Sequence, residues 1–101
     1  MSNHTKISSG ADFEKAVQTK GKYVLIHVHS GEVPARAEEY AAQHKSTCDA
    51  YSVDVAAEPT LMDFFGLKQT PAALVYKDGE RVKSVEGKDE AGMEEVGKLL
   101  A

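Results

Sequence analysis

The chain has 101 residues, of which 42% are hydrophobic and 28% charged, and its net charge is −4. Acidic and basic residues are interspersed and form no basic stripe, so we expect no nucleic-acid partner. No stretch approaches the ~20 apolar residues of a membrane span, and we expect no targeting segment because the first six residues contain no apolar h-region. We therefore expect one cytoplasmic domain over residues 1–101, with no membrane partner.

Cys48 is the only cysteine of the chain. A single thiol excludes an internal disulfide and any Cys-x-x-Cys motif for redox chemistry or zinc. The sequence contains no other motif that would hold a cofactor, and we predict none.

The first elements predicted are a short edge strand within residues 1–7 and a helix over about residues 10–19. Ser8 and Ser9 supply cap oxygens for that helix, and its apolar residues recur at helical spacing. A central strand follows at Lys22–Ser30. It is apolar on both faces, which requires helices on both sides of the sheet.

A second helix is predicted over about 34–44, with Pro34 in its first turn, where a missing N–H is tolerated. Its apolar content is thin, and we expect Arg36, Glu38 and Glu39 to face water. Next come a strand at Ala50–Val55 and a short helix that Pro59 begins and Gly66 ends.

The last part of the chain predicts a hairpin and a helix. Strands at residues 72–77 and 81–86 are joined by Asp78-Gly79, a two-residue turn signal. The final helix begins between residues 87 and 90 and carries Met93 and Val96 on its apolar side. The order βαβαβαββα predicts an α/β fold with a four- or five-stranded mixed sheet and helices on both faces.

Several segments, in this order and spacing, resemble the thioredoxin family over nearly the whole chain. They are Ile7–Ala16, Lys22–Ile26, Val53-Asp54-Val55, Phe65-Gly66-Leu67 with Thr70-Pro71, and Lys77-Asp78-Gly79-Glu80. The resemblance implies a thioredoxin-like fold in which Pro71 is the family's cis-proline.

The resemblance fails at the residues that define thioredoxin activity. Thioredoxins carry Trp-Cys-Gly-Pro-Cys where this chain has Gly31-Glu32-Val33-Pro34-Ala35, and the chain contains no tryptophan. His27 stands where the family keeps a buried aspartate, and the second helix lacks the family's proline kink near Tyr40. Dithiol exchange needs two thiols within reach, so we expect a redox-inactive protein.

The remaining scaffold implies a binding surface. In thioredoxins the residue before the cis-proline pairs its backbone with an extended peptide, a role that falls here to Thr70. We therefore predict a protein or peptide partner at a site formed by Ser30, Gly31, Glu32, Val33, Pro34, Thr70 and Pro71. Glu32 also suits a helix cap, and its charge would favour a positive group on the partner.

His27 and His29 support a second hypothesis, an enzyme or metal site. Two histidines separated by one residue in a strand lie on one face and could hold a metal with a third ligand, for which Glu32 is the nearest candidate. The alternative is that both are hydrogen-bonded core residues. A weak monothiol role for Cys48 and a structural role as an assembly subunit also stay open, and the sequence does not give the oligomeric state.

Overall fold

The computed structural model of the chain describes residues 4–31, 35–87 and 90–100. The strands and helices follow the predicted order, with these bounds: β1 (Thr5–Lys6), α1 (Gly10–Val17), β2 (Tyr23–His29), α2 (Ala35–Gln43), β3 (Cys48–Asp54), α3 (Thr60–Phe65), β4 (Ala72–Lys77), β5 (Glu80–Glu86) and α4 (Glu90–Leu100).

The strands form one mixed sheet in the order β1-β3-β2-β4-β5. β1, β3 and β2 are parallel, whereas β4 runs antiparallel to β2 and to β5. β2 is therefore the central strand, as its apolar composition predicts. Strand β1 confirms the predicted edge strand.

Apolar side chains fill both faces of the sheet. One face packs against α1 and α3, where Ile26, Val53 and Phe65 are buried in the same cluster. The other face packs against α2 and α4, where Leu25 and Val96 are buried together. Helices thus cover both faces, as expected.

Local signals in the sequence fix several element ends. Ser9 caps α1 by accepting a hydrogen bond from the Asp12 N–H at 3.2 Å. Gly66 ends α3 in the left-handed region at φ 69°, which glycine adopts without a Cβ clash. Asp78 and Gly79 both have positive φ, as a tight hairpin turn requires.

Strand β3 begins at Cys48, two residues before the predicted start at Ala50. Asp49 obscures the strand pattern because it is polar. In the structure its carboxylate pairs with the Lys22 ammonium at 2.8 Å, which lets Asp49 lie beside Val24 in the sheet. The start of β3 therefore involves a contact between residues far apart in the chain, which the local sequence pattern does not show.

None of the helices in the part of the chain that the structure describes is both long enough and apolar enough to cross a membrane.

Candidate functional site

Ser30 and Gly31 follow the carboxyl end of β2 and are exposed. Gly31 has φ 92°, and its N–H donates to Asp54 Oδ1 at 3.1 Å. The same oxygen accepts the Ala56 N–H at 2.9 Å. Chiefly because of the hydrogen bond from Gly31, the pKa of Asp54 is lowered. Asp54 thus fixes the backbone that leaves β2.

Glu32, Val33 and Pro34, which the sequence places in the site, lie outside the described residues. Their contribution to a site stays a prediction.

Thr70 and Pro71 lie at the same end of the sheet as Ser30. The Thr70–Pro71 bond is cis, as the resemblance implies, and the next residue, Ala72, pairs with Val28 near the end of β2. The Pro71 carbonyl accepts the Gly87 N–H at 2.7 Å. Across residues 4–31, 35–87 and 90–100, by contrast, no hydrogen bond involves the backbone of Thr70.

His27 and His29 lie on one face of β2, as their spacing predicts. Their rings stack with centroids 5.6 Å apart and an interplanar angle of 14°. His4, which precedes β1, adds a third ring 5.9 Å from that of His27. Three histidines therefore lie in a row on the side of the sheet that α2 and α4 cover.

Glu38 on α2 joins this row by bonding to His4 Nδ1. The expectation that Glu38 faces water was wrong, since its side chain is only 23% exposed. His4 and Glu38 were missed as members of the cluster. They are 34 residues apart, and no pattern in the sequence links them.

Burial, together with the neighbouring His29 and His4, lowers the pKa of His27 to about 4. His27 is therefore neutral at pH 7. In the described part of the chain, His27 Nε2 and His29 Nδ1 are buried without a hydrogen-bond partner. The alternative that both histidines are hydrogen-bonded core residues stays open, and at these two ring nitrogens the described residues supply no partner.

No group of three His, Cys, Asp or Glu side chains within the described ranges is arranged to hold a metal ion. Glu32, the third ligand suggested by the sequence, is not among the residues described. The metal or enzyme site on His27, His29 and Glu32 thus stays a prediction, and the described geometry adds nothing in its favour.

A cleft of about 1000 Å³ opens between α2, α4 and the sheet, and we name it the α2–α4 cleft. Six of its lining residues are Leu25, His27, Tyr40, Pro71, Val85 and Met93. The Tyr40 hydroxyl donates to the Met93 carbonyl at 3.3 Å and so connects the two helices. Burial raises the pKa of Tyr40 to about 12, so its hydroxyl is protonated at pH 7. Sequence reasoning did not predict this cleft.

Cys48 is buried, 2% exposed, at the start of β3. Burial raises the pKa of its thiol, which favours the unreactive protonated form. Cys48 pairs with Tyr23 at one end of β2, whereas Pro71 adjoins the pair of Ala72 with Val28 at the other end. Tyr23 and Val28 are five residues apart on this strand, which corresponds to about 16 Å.

No protein-family model matches the chain, and no curated protein sequence matches it. Solved structures do match. A thioredoxin of Malassezia sympodialis is 19% identical with a TM-score of 0.77, and the match covers 100% of this chain and 94% of that one. A cysteine-to-serine mutant of Entamoeba histolytica thioredoxin is 18% identical with a TM-score of 0.79, over 95% of this chain and 98% of that one.

The thioredoxin of Plasmodium falciparum gives a similar result, with 17% identity, a TM-score of 0.78 and coverage of 96% and 99%. Structural matches at identities this low support a shared fold and nothing about function. The predicted thioredoxin-like fold is confirmed, and the sheet has five strands. The chain therefore has the thioredoxin fold, and its one cysteine leaves no Cys-Gly-Pro-Cys dithiol pair.

Proposed function

We propose that this protein is a thioredoxin-like binding module that holds an extended protein or peptide segment at Thr70 and Pro71, beside Ser30 and Gly31, and performs no dithiol–disulfide exchange. The observation that carries the proposal is the backbone of Thr70. This residue is half-buried, next to the exposed Ser30 and Gly31 end of β2, and its N–H and C=O form no hydrogen bond with any described residue. Cytoplasmic location and the absence of a cofactor stay predictions from the sequence.

An unpaired backbone N–H and C=O can pair with an incoming extended chain, as in binding by β-strand addition. The neighbouring backbone is already ordered. The Pro71 carbonyl accepts the Gly87 N–H, and Gly31 is held by Asp54. A pre-organised edge reduces the entropy lost on binding, which favours recognition at this position.

The absence of dithiol exchange follows from the position and state of Cys48. The thiol is buried, its pKa is raised, and it lies at the opposite end of β2 from Pro71. A disulfide presented at Thr70 would therefore meet no thiolate from a described residue.

The proposal is tested by capturing partners from the native cell extract and then measuring the affinity of each purified partner. Thr70→Arg and Ser30→Arg place a long charged side chain on the proposed edge. Ser46→Arg is the matched control, since Ser46 is exposed in the turn before β3, next to the Thr47 carbonyl that pairs with Tyr23 at the far end of the sheet.

We expect Thr70→Arg and Ser30→Arg to weaken binding by at least about tenfold, because a long charged side chain at this edge obstructs the segment that would pair with the N–H and C=O of Thr70. Ser46→Arg should bind like the wild type. Because Ser30 is exposed, its variant should fold even if Thr70→Arg does not. Equal affinities for all four proteins would refute binding at this edge.

A further inference from the structure

Polar side chains lie between the sheet and α2, whereas apolar side chains fill most of the core. His4, His27 and His29 form a row there with ring centroids 5.9 Å and 5.6 Å apart, and we name it the histidine row. His4 is 8% exposed and His29 is 7% exposed. The Glu38 carboxylate on α2 bonds to His4 and so joins the helix to the row. The packing of α2 on the sheet therefore involves buried titratable groups.

The titratable groups closest to His27 offer little compensation for a positive charge. His29 on β2 and His4 before β1 disfavour its protonation. Glu38 on α2 favours it, but this carboxylate is already bonded to His4. Tyr40, also on α2, lines the same cleft, and its hydroxyl is uncharged at pH 7.

The other elements around His27 do not change this balance. Its neighbours in the sheet are Ser52 on β3 and Ala73 on β4, and neither carries a charge. Arg36 on α2 and Glu90 on α4 line the same cleft, both are exposed, and their charges have opposite signs. Their effects on a charge at His27 oppose each other.

The closed packing accommodates a neutral His27 and not a charged one. His27 Nε2 and His29 Nδ1 are buried, and none of the described residues bonds to either. A protonated imidazole donates from both ring nitrogens. Protonation of His27 in place would therefore bury a charged N–H without an acceptor, which costs more than a neutral nitrogen without a partner. The lowered pKa of His27 agrees with this geometry.

Of the elements next to the histidine row, α2 is the one that separates at the lowest cost. Strand β2 is hydrogen-bonded to β3 on one side and to β4 on the other. Helix α2 packs on the sheet through small side chains such as Ala41. Its polar contacts are those of Glu38 with His4 and of the Tyr40 hydroxyl with the Met93 carbonyl. Breaking these contacts leaves the sheet intact.

From this arrangement we propose that α2 is an acid-opened flap. Protonation of His27 separates α2 from the histidine row and admits water to this side of the sheet, while the side covered by α1 and α3 stays packed. The contact of Glu38 with His4 holds the flap closed at neutral pH. The inference goes beyond the proposed binding function and does not depend on it.

The population of the open form follows from the two protonation equilibria of His27. Its pKa is about 4 in the closed form and returns to the ordinary value of 6.5 once water reaches the ring. A group that binds protons more tightly in the open form favours opening as the pH falls. With these two values, the equilibrium constant for opening rises about 20-fold between pH 7 and pH 5.

Native-state hydrogen exchange, followed by NMR at pH 7 and pH 5, measures the opening constant at each amide once intrinsic exchange rates are divided out. The amides compared are Tyr40 and Ala41 in α2 and Leu74 in β4. Each series is repeated in low urea, which promotes openings in proportion to the surface that they expose. Buffers contain EDTA, so that no bound metal contributes.

We expect the opening constants of Tyr40 and Ala41 to rise about 20-fold from pH 7 to pH 5. The rise should disappear in His27→Gln. It should persist in His44→Gln, the same substitution at a half-buried histidine just after α2. Low urea should promote opening at Leu74 and hardly at Tyr40, because a local opening exposes less surface than global unfolding does.

Two results would overturn the flap. If Tyr40 and Ala41 have the same opening constants and the same urea dependence as Leu74, water reaches His27 only by global unfolding. If the wild type shows no rise at acid pH, or the rise persists in His27→Gln, His27 does not trigger the opening. The wild-type measurements decide between a local and a global opening even if His27→Gln does not fold.

Discussion

His27 is held neutral by the residues around it. Its ordinary pKa of 6.5 falls to about 4 in the folded protein, first through burial and then through His29 and His4, while Glu38 opposes the shift. A group with a lowered basic pKa binds fewer protons when folded than when unfolded at any pH between these values. Acid should therefore destabilise the fold through this residue.

The pH dependence of stability checks this effect. Between pH 6.5 and 4, the free energy of unfolding of the wild type should fall relative to that of His27→Gln, by roughly 3 kcal/mol at the acid end. Urea unfolding at several pH values measures it. His29, His4 and Glu38 are present in both proteins, so the difference isolates His27. Parallel curves for the two proteins would show that His27 is not buried as described.

Asp54 determines the order of the backbone at Gly31. In Asp54→Ala the Gly31 N–H loses its acceptor, so its hydrogen exchange should become faster. Asp54→Asn retains a carbonyl acceptor, so its exchange rate at Gly31 should lie between those of the wild type and Asp54→Ala. The Tyr23 N–H, which donates to the Thr47 carbonyl at the other end of the sheet, is the internal control. Unchanged exchange at Gly31 in Asp54→Ala would contradict the described hydrogen bond.

At the scale of elements, α2 explains why a cleft exists. Two of its side chains toward the sheet are small, since Ala37 lines the cleft and Ala41 is buried, whereas Tyr40 is large and half-buried. Thin packing from one helix leaves space between α2 and α4 that larger residues would fill. The sequence showed the alanines, but the size of the space depends on where α4 packs, which no local pattern gives.

Filling the cleft from α2 should stabilise the protein. Ala37→Leu adds three carbons at a position that lines the cleft together with Leu25 and Met93, which should raise the free energy of unfolding by about 1 kcal/mol. Ala42→Leu changes helix propensity equally at an exposed position and should have little effect. Thermal or urea unfolding of the wild type and both variants measures these changes in stability. A destabilised Ala37→Leu would mean that the space is already occupied by packed side chains.

Element type and order were predictable because the relevant signals are local. Strand alternation placed His27 and His29 on one face, and Asp78-Gly79 marked the hairpin. Strand β3 begins two residues before its predicted start. The polar Asp49 interrupts the strand pattern in the sequence, and its partner in the structure is Lys22, a residue distant in sequence. The contact of His4 with Glu38 was missed for the same reason.

At the scale of the molecule, the thioredoxin fold is retained with a single thiol placed far from the cis-proline. The sequence predicted this combination, because the order of its motifs indicates the fold and a single cysteine excludes a dithiol pair. The candidate site was less predictable, because the free backbone of Thr70 and the α2–α4 cleft are both products of tertiary packing.

The central claim is that this protein binds an extended segment and performs no dithiol–disulfide exchange. The most direct test is the reduction of insulin disulfides in the presence of a thioredoxin reductase. Wild type, Cys48→Ser and a blank without protein should give the same rate, because the buried Cys48 thiol does not reach a disulfide at Thr70. Turnover comparable to that of a dithiol thioredoxin, or a rate above the blank that Cys48→Ser abolishes, would contradict the claim.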